Sequence, residues 1–561
     1  MINQQIATVF NEISDLLEIK GENPFRIRAY RRAAQNIDGL PKDIAHLKEE
    51  ELLEIPGIGH DLAGKIREYI ATGKVTAYED LKKEVPGEIA LLISIPGLGP
   101  KTAKLLYDTL KIKDIDDLER HAREHKLSGL PGIKDKTEEN ILKGIGMLRR
   151  GRERFPIGRV LPLADEILSL IQKKAPAEDL TLAGSLRRWK DTVKDIDMLA
   201  TSREPGKVMN AFIHLPMVQQ VLMHGPTKSS VIITEGVQVD LRVVERESFG
   251  AALAYFTGSK AHNIRLREMA VKAGMKINEY GIFREKDNKR LGGEREEDVY
   301  RILGLPYIPP ELREDTGEIE AALDNRLPRL LELDDIRGDL HVHTKRSDGS
   351  HSLEELIKAA RQRGYAYLGI TDHTKGLGVA RGLNEEKIRE EIKEITAVNR
   401  KLRGFRLLTG AEVDIRSDNT LDLPDGILKE LDFVVASIHS GFRQSREQLT
   451  RRLLSALKNP FVTVIAHPTG RLIGERDAYE VDMEQVFAIA KKTGKALEIN
   501  AYPLRLDLND TYVKRAKELG IPLVISTDTH VINQFDFMRY GVSIGRRGWL
   551  EKKDVLNTLP A

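Results

Sequence analysis

The stretch Asp195-Ile196-Asp197-Met198-Leu199-Ala200 reads as a β-strand with two carboxylates two residues apart. Side chains alternate across a strand, so Asp195 and Asp197 point the same way. Two such carboxylates repel unless a cation sits between them, and the hard-oxygen cation that also takes phosphate oxygens is Mg²⁺. Just upstream, Gly184-Ser185 offers backbone N–H groups and a hydroxyl, and Arg188 adds a fixed positive fork. Together they make a phosphate cradle facing a metal site. A two-metal phosphoryl-transfer site needs a third carboxylate from a neighbouring strand. Residues 236–244 supply Asp240, and their alternation puts Gln238, Asp240 and Arg242 on one face and the valines on the other.

A second constellation lies beyond residue 337. Of the chain's 14 histidines, six fall at the ends of apolar strands there: His341, His343, His373, His439, His467 and His530. Amphipathic helices, such as residues 352–363 and 384–402, separate these strands. Strands alternating with helices argue a βα barrel, and barrel enzymes gather their active-site groups at C-terminal strand ends. Gly410-Ala411-Glu412-Val413-Asp414 and Leu497-Glu498-Ile499-Asn500 end further strands. A lone buried histidine is usually a satisfied core residue; six at matching strand ends point to metal.

The first 160 residues carry a repeat. Ile55-Pro56-Gly57-Ile58-Gly59 recurs as Ile95-Pro96-Gly97-Leu98-Gly99, and a worn copy is Leu130-Pro131-Gly132-Ile133-Lys134. Each precedes a helix. Glycine permits the tight turn and a close backbone approach, and the N–H groups at the helix start can hold a phosphate oxygen. This resembles the helix-hairpin-helix motif, which grips the DNA backbone without reading sequence. Lys134 replaces the second glycine in the third copy. Arg149, Arg150, Arg152, Arg154 and Arg159 follow as a local basic run.

The elements that must position these groups need several cores. A chain of 561 residues predicts three to four domains. Hydrophobic content of 41% and charged content of 31% describe a soluble globular protein. With no cysteine, disulfides and thiolate metal sites are excluded. The N-terminus lacks a signal-peptide pattern, and no apolar run approaches the roughly 20 residues that span a bilayer, so a cytoplasmic protein without membrane contact is expected. Net charge is only +2, an unusual balance for a nucleic-acid binder. Backbone amides in the hairpins reconcile the two, since they add no formal charge.

Residues 184–200, Asp240 with Arg242, and Tyr255-Phe256-Thr257-Gly258-Ser259 closely resemble the palm and fingers of family X DNA polymerases. The region beyond about 320 resembles the PHP metal-dependent phosphoesterase domain. Together they resemble the bacterial and archaeal family X DNA polymerases with a C-terminal PHP domain. The acidic, Leu-rich segment from Asp315 to Asp335 reads as a linker helix. The resemblance implies a multidomain chain: residues 1–90 and 91–160 as all-α helix-hairpin-helix regions, the first lyase-like; 161–245 as an α/β nucleotidyltransferase palm; 246–320 as the nucleotide-binding fingers and thumb; 321–336 as a linker; and 337–561 as a distorted (βα)7 PHP barrel. It implies that Asp195, Asp197 and Asp240 hold Mg²⁺ or Mn²⁺. Gly184, Ser185, Arg188, Tyr255, Phe256, Gly258 and Asn263 then bind the incoming dNTP, the aromatic pair leaving little room for a 2′-OH. Gly57, Gly59, Gly97, Gly99 and Arg267 contact DNA.

For the PHP domain the implied ligands are His341, His343, Asp348, His373, Glu412, His439, His467, Asp528 and His530, for about three ions of Zn²⁺ or Mn²⁺; mixed imidazole and carboxylate donors suit these better than Mg²⁺. Lys65 matches a Schiff-base lysine of family X lyase domains and Tyr30 an aromatic of the same site, although Gly64 and Phe25 depart from that pattern. Arg26, Arg28 and Arg31 are the cations that would depress its pKa. The expected activity is gap-filling DNA synthesis in repair on gapped or primed DNA, by a monomer, with metal-dependent 3′-5′ exonuclease, abasic-site or 3′-end processing in the PHP domain. The alternatives are a non-templated nucleotidyltransferase fused to a small-molecule phosphatase, and a DNA-binding scaffold with degraded sites.

Overall fold

The structure, a computed structural model, describes residues 2–38, 44–53, 55, 57–85, 89, 92–93, 95, 98–133, 137–138, 141–142, 145 and 154–561. The chain divides into two units. One is Met1–Glu153 with Gly474–Arg476 and Val531–Asn533, and the other takes Arg154–Ile473, Asp477–His530 and Gln534–Ala561.

The first unit is helical. Apolar side chains at three- and four-residue spacing on the helix Ile2–Lys20 bury Ile6, Phe10, Ile13 and Leu17 against Tyr30, Ala33, Ala34 and Ile37 of the helix Pro24–Asp38. The hairpin helices His60–Thr72 and Pro100–Leu110 follow. Each starts at a glycine in extended conformation, Gly59 and Gly99, and Pro100 occupies the first turn, where its missing N–H costs nothing. All three repeats make one backbone turn: the N–H groups of Ile58, Leu98 and Ile133 donate to the carbonyls of Ile55, Ile95 and Leu130 at 3.0 Å. Gly57 and Gly132 hold that turn at φ +87° and +82°, in the left-handed region open to glycine. The third copy therefore keeps this hydrogen bond of the other two. Gly97, Lys134, Arg149, Arg150 and Arg152 lie outside the described residues.

In the second unit a five-stranded sheet is built from β1 (Glu178–Leu182), β2 (Asp195–Thr201), β3 (Val218–His224), β4 (Lys228–Ile233) and β5 (Gln238–Val244), in spatial order β1-β2-β5-β4-β3. β2 and β5 run parallel and the other pairs antiparallel. β5 alternates buried valines and leucine with half-buried Gln238, Asp240 and Arg242, as the period-2 pattern requires. The helix Ile157–Lys174 precedes this sheet. Then come the helices Phe249–Thr257 and Lys260–Lys272, and an antiparallel sheet β6 (Met275–Asn278), β7 (Gly281–Arg284) and β8 (Arg290–Gly292).

The expected linker helix over 315–335 does not form. That stretch holds only Glu318–Leu323 and a single turn at Leu333–Asp335. Gly317 enters at φ +106°, and Pro328 cannot continue a helix. Glu318 is instead buried, accepting from the Asp315 and Thr316 amides and pairing with His262 at 2.7 Å.

The C-terminal strands are β9 (Gly338–Val342), β10 (Tyr367–Ile370), β11 (Arg406–Thr409), β12 (Glu412–Asp414), β13 (Val435–Ser437), β14 (Val464–Ile465), β15 (Ala496–Asn500) and β16 (Leu523–Ser526). All pair in parallel, as β9-β10-β11 and β12-β13-β14-β15-β16, with helices between them. Single bridges link the two sheets: Val342 of β9 to Thr529 just beyond β16, and His373 just beyond β10 to Glu412 of β12. Gly410 stands between β11 and β12, where a Cβ would lie 2.6 Å from the Phe433 ring. Most strand residues are buried, as expected where helices cover a parallel sheet. No helix among the described residues is long and apolar enough to cross a membrane.

Candidate active sites

The parallel pairing of β2 and β5 sets Asp197 opposite Asp240 and Asp195 opposite Gln238. The three carboxylates thus share one face, with Gln238 donating to Asp240 at 3.0 Å. Burial first, then the neighbouring carboxylates, raises Asp195 and pushes Asp197 up to about 7. These are groups waiting for a cation, and an all-oxygen donor set suits Mg²⁺.

Gly184 opens the one-turn helix Gly184–Arg187 at φ +62°, and a Cβ there would lie 2.2 Å from Asp197 Oδ2. Only glycine lets the cradle approach the carboxylate this closely. Arg187, which sequence reasoning passed over, locks this turn to the next subdomain. It donates to Thr257 Oγ1 at 2.7 Å and to both oxygens of Glu296. Arg313 and the Tyr307 hydroxyl also bond Glu296. Burial favours the protonated form of Glu296, yet the guanidiniums hold it down to about 2. Only the spatial meeting of residues 187, 296 and 313 reveals this hub, because no local motif links them.

Tyr255 and Phe256 pack edge to face at 5.2 Å, and Arg242 lies 4.5 Å over the Phe256 ring. Asn263 donates to the Tyr255 carbonyl at 2.7 Å, and Arg267 to the Asn263 carbonyl at 3.3 Å. Gly258, at φ +65°, sits with its Cα side 3.5 Å from the Arg188 guanidinium, measured from where a Cβ would stand. The palm end of the unit therefore brings together Gly184, Ser185, Arg188, Gly258 and Asn263 beside the carboxylates.

At the C-terminal ends of β9 to β16 the described residues hold three compact groups of potential metal ligands. They are His343, Asp348, His373 and His530; His341, His343, Glu412 and Asp528; and His373, Glu412 and His439. His343, His373 and Glu412 are shared. His467 stands outside these groups, but its Nε2 is 3.0 Å from Glu412 Oε1. Glu412 is the hub, with His341, His373 and His439 nitrogens at 3.2, 3.0 and 3.1 Å.

Burial favours a protonated Glu412, yet the surrounding imidazoles hold it well below the usual carboxylate range. Burial drives His373 down to about 3, while Glu412 and Asp414 lift His439 to about 9 and Asp348 and Asp528 lift His530 to about 9, in both cases against burial. His341 Nε2, both nitrogens of His343, His373 Nδ1, His467 Nδ1 and Glu412 Oε2 are buried without a hydrogen-bond partner among the described residues. Orphaned polar atoms of this number are costly unless something binds them, and imidazole with carboxylate is a donor set for a divalent transition metal. His467 and Asp528 sit at φ +29° and +56°, strained backbone of the kind found at functional sites.

Behind the ligands lie residues not assigned from sequence. Glu498 accepts from His341 Nδ1 at 2.7 Å and from the His467 amide at 2.8 Å. Asp414 faces the His439 ring at 3.6 Å and accepts from its amide. Such partners fix ring orientation. Both were visible as strand-end carboxylates, but their role depends on which histidine they meet.

In the first unit Lys65 pairs with Asp61, one helical turn away, and its Nζ lies 6.0 Å from the Tyr30 ring centroid. Tyr30 is buried with its hydroxyl unpartnered among the described residues. Arg31 is paired with Glu18 and with Asp15 at 3.2 Å, and Arg26 faces Glu22 at 3.7 Å. Arg26 and Arg31 are thus each paired with a carboxylate, as Lys65 is.

Comparison with known proteins agrees with this layout. Family models match as a helix-hairpin-helix domain over residues 1–75, a SAM-like helix-hairpin-helix tandem over 89–146, a DNA polymerase beta thumb over 252–314 and a PHP domain over 339–502. The DNA polymerase/3′-5′ exonuclease PolX of Bacillus subtilis is 41% identical over 559 residues, 99% of this chain and 97% of that one. A probable phosphatase of Thermoanaerobacter sp. is 30% identical over 241 residues, 39% of this chain and 89% of that one. One from Acetivibrio thermocellus is 30% identical over 210 residues, 35% of this chain and 82% of that one.

Proposed function

Because the chain belongs to the family X DNA polymerases that carry a C-terminal PHP domain, we propose that it fills short gaps in DNA during repair and trims 3′ ends with its PHP domain. The observation that carries this reading is the presence, in one unit, of two donor sets of different chemistry: oxygen-only on β2 and β5, imidazole and carboxylate at the ends of β9 to β16.

In the palm, Asp195, Asp197 and Asp240 would hold Mg²⁺ or Mn²⁺. The amides at Gly184 and Ser185, the Ser185 hydroxyl and Arg188 cradle the triphosphate of a dNTP. Gly258 lets that strand of chain pass close to it. Tyr255 and Phe256 wall the sugar, and Asn263, held by the Tyr255 carbonyl, faces the base; Arg267 lies along the template. In the PHP domain His341, His343, Asp348, His373, Glu412, His439, His467, Asp528 and His530 would hold up to three Zn²⁺ or Mn²⁺ ions. The strands that bear them would make up the distorted barrel, a reading that the single bridges between the two sheets support. When bound, the cations of both sites supply charge that activates an oxygen nucleophile and stabilises the leaving oxygen of a phosphate ester. Glu498 and Asp414 orient His341 and His439.

The hairpins, with Gly57, Gly59, Gly97 and Gly99, grip the DNA backbone through their amides. Lyase chemistry at Lys65 has less support, given its pairing with Asp61. The similarity to probable phosphatases supports removal of 3′-phosphates as a second use of the PHP ligands. The test is to incubate the full-length protein with gapped DNA, with and without dNTPs, in Mg²⁺ or Mn²⁺. Template-dependent extension with dNTPs and 3′-end shortening without them are expected. Untemplated addition, or phosphate release from small esters alone, would point to the non-DNA alternative.

A further inference from the structure

Residues 188–191 join the phosphate cradle to the catalytic strand, and side chains from the far end of the chain hold this loop at several points. Arg547, the last residue of the helix Met538–Arg547, donates through Nη1 to the Arg188 carbonyl at 2.7 Å and to Glu314 Oε1 at 3.1 Å. Its Nε and Nη2 bond Asp510 Oδ2. The Arg547 side chain is only 2% exposed. Tyr540, seven residues earlier on the same helix face, meets the Trp189 ring edge to face at 5.8 Å. Arg471 bonds Asp191 at 3.0 Å.

Glu314 is shared. The same Oε1 that Arg547 reaches also accepts from Arg188 Nε at 3.0 Å, while Arg188 Nη1 donates to the Thr257 carbonyl. Arg188 Nη2 makes no hydrogen bond to protein among the described residues, so one arm of the fork is left for a ligand. Burial favours a protonated Glu314, yet Arg188, Arg547 and Lys190 hold it below the usual carboxylate range. Part of the Glu314 charge is therefore answered by Arg547 and not by Arg188.

We propose that Arg547 is a positioning residue for nucleotide addition, setting the Arg188 guanidinium against the incoming triphosphate by holding both the Arg188 carbonyl and the carboxylate that Arg188 shares. The inference rests on the reading of Arg188 as a triphosphate ligand. Two effects act in the same direction when Arg547 is removed. The Arg188 carbonyl loses a buried donor, which frees the loop. More of the Glu314 charge then falls on Arg188, with Lys190 taking the rest, and this lessens the pull of Arg188 on phosphate. Nucleotide affinity then depends on the helix Met538–Arg547, which bears none of the residues assigned to the nucleotide.

The experiment compares full-length Arg547→Gln, Arg547→Lys, Arg188→Ala and the double variant Arg188→Ala with Arg547→Gln. It measures KM for dNTP and kcat in gap filling, and 3′-end degradation without dNTPs. Loss of a binding interaction raises KM with kcat little changed, so Arg547→Gln should raise KM about tenfold and leave kcat within a few-fold. Arg547→Lys, which keeps the charge, should recover part of the affinity, and it carries the test if Arg547→Gln does not fold. Arg188→Ala should raise KM at least as much. The double variant should be no worse than Arg188→Ala to within about twofold, because residues acting as one do not add. Degradation should stay at the parent rate.

Unchanged KM in Arg547→Gln beside a raised KM in Arg188→Ala overturns the inference and leaves the Arg188 reading standing. So do additive effects in the double variant, or a parallel loss of kcat and degradation, which would make Arg547 a support for the fold alone. Unchanged KM in Arg188→Ala overturns the Arg188 reading itself, and the inference with it.

Discussion

At the scale of single residues, the palm is governed by how closely like charges are packed. Asp197 is the most perturbed of its carboxylates, pushed up to about 7 by burial and then by Asp195 and Asp240. A proton and a cation therefore compete for it below neutrality. At limiting Mg²⁺, primer extension is expected to fall as pH drops from 8 through about 7 and to recover when Mg²⁺ is raised. A pH profile that ignores metal concentration would contradict this. Asp197→Ala removes a shared ligand outright and should abolish extension while sparing 3′-end degradation, checked in the two assays side by side. Gly184→Ala tests the geometry: its Cβ would stand 2.2 Å from Asp197 Oδ2, so the carboxylate or the cradle must move. A displacement of that kind costs roughly a hundredfold in rate. Near-parent kcat in Gly184→Ala would mean that the close approach has no role.

At the scale of elements, the hairpin turn is the unit of DNA contact. The three copies share one backbone hydrogen bond, and N–H groups at a helix start can hold phosphate. Gly57, at φ +87°, tolerates no β-branched residue. Gly57→Val is expected to weaken binding to gapped DNA equally across unrelated sequences, with a shallower dependence on salt in titrations by anisotropy. A loss confined to one sequence would show base reading in place of backbone contact. The C-terminal strands act as elements too. His341 lies in β9 and His343 just beyond its end, and further ligands follow β10 (His373), β13 (His439) and β16 (Asp528 and His530), while Glu412 opens β12.

At the scale of the whole molecule, two catalytic centres share no ligand. His341→Ala is therefore expected to lower 3′-end degradation by roughly a thousandfold or more, while gap filling stays within a few-fold of the parent. Collapse of both in a variant with parent-like circular dichroism would mean one coupled centre. The protonation of the metal-free chain supplies a second test. His439 and His530 are lifted to about 9, above the ordinary 6.5. A raised folded pKa gives stability that is complete below 6.5 and is lost as pH rises through 9. Metal replaces those protons, so the gap in Tm between metal-loaded and chelated protein should widen from pH 6.5 to 9. Metal loading near pH 7.5 should also release protons, read by calorimetry in buffers of different ionisation enthalpy. A Tm gap that is constant with pH would show that these imidazoles are neutral before metal arrives.

The sequence by itself determined what depends on short spacing. Asp195 and Asp197 share a face because strands have a period of two, and the hairpin turns follow from Pro-Gly placement. Six histidines at apolar strand ends announced a metal centre, because apolar runs must be buried and their ends must meet. Pairing and packing between distant segments lay beyond that reach. Only the parallel register of β2 and β5 put Asp240 opposite Asp197. Only the meeting of Arg187, Arg313 and Glu296 locked the cradle to the thumb. The stretch after Asp315 has a helical composition, yet tertiary contacts of Glu318 with His262, together with Gly317 and Pro328, broke it. A basic residue at a helix end is ordinarily accounted for by solvent and the helix dipole, and Arg547 belongs to no motif. Its partners lie 233 and 359 residues away in the chain, and nothing local encodes a contact that forms only when separate subdomains fold against each other.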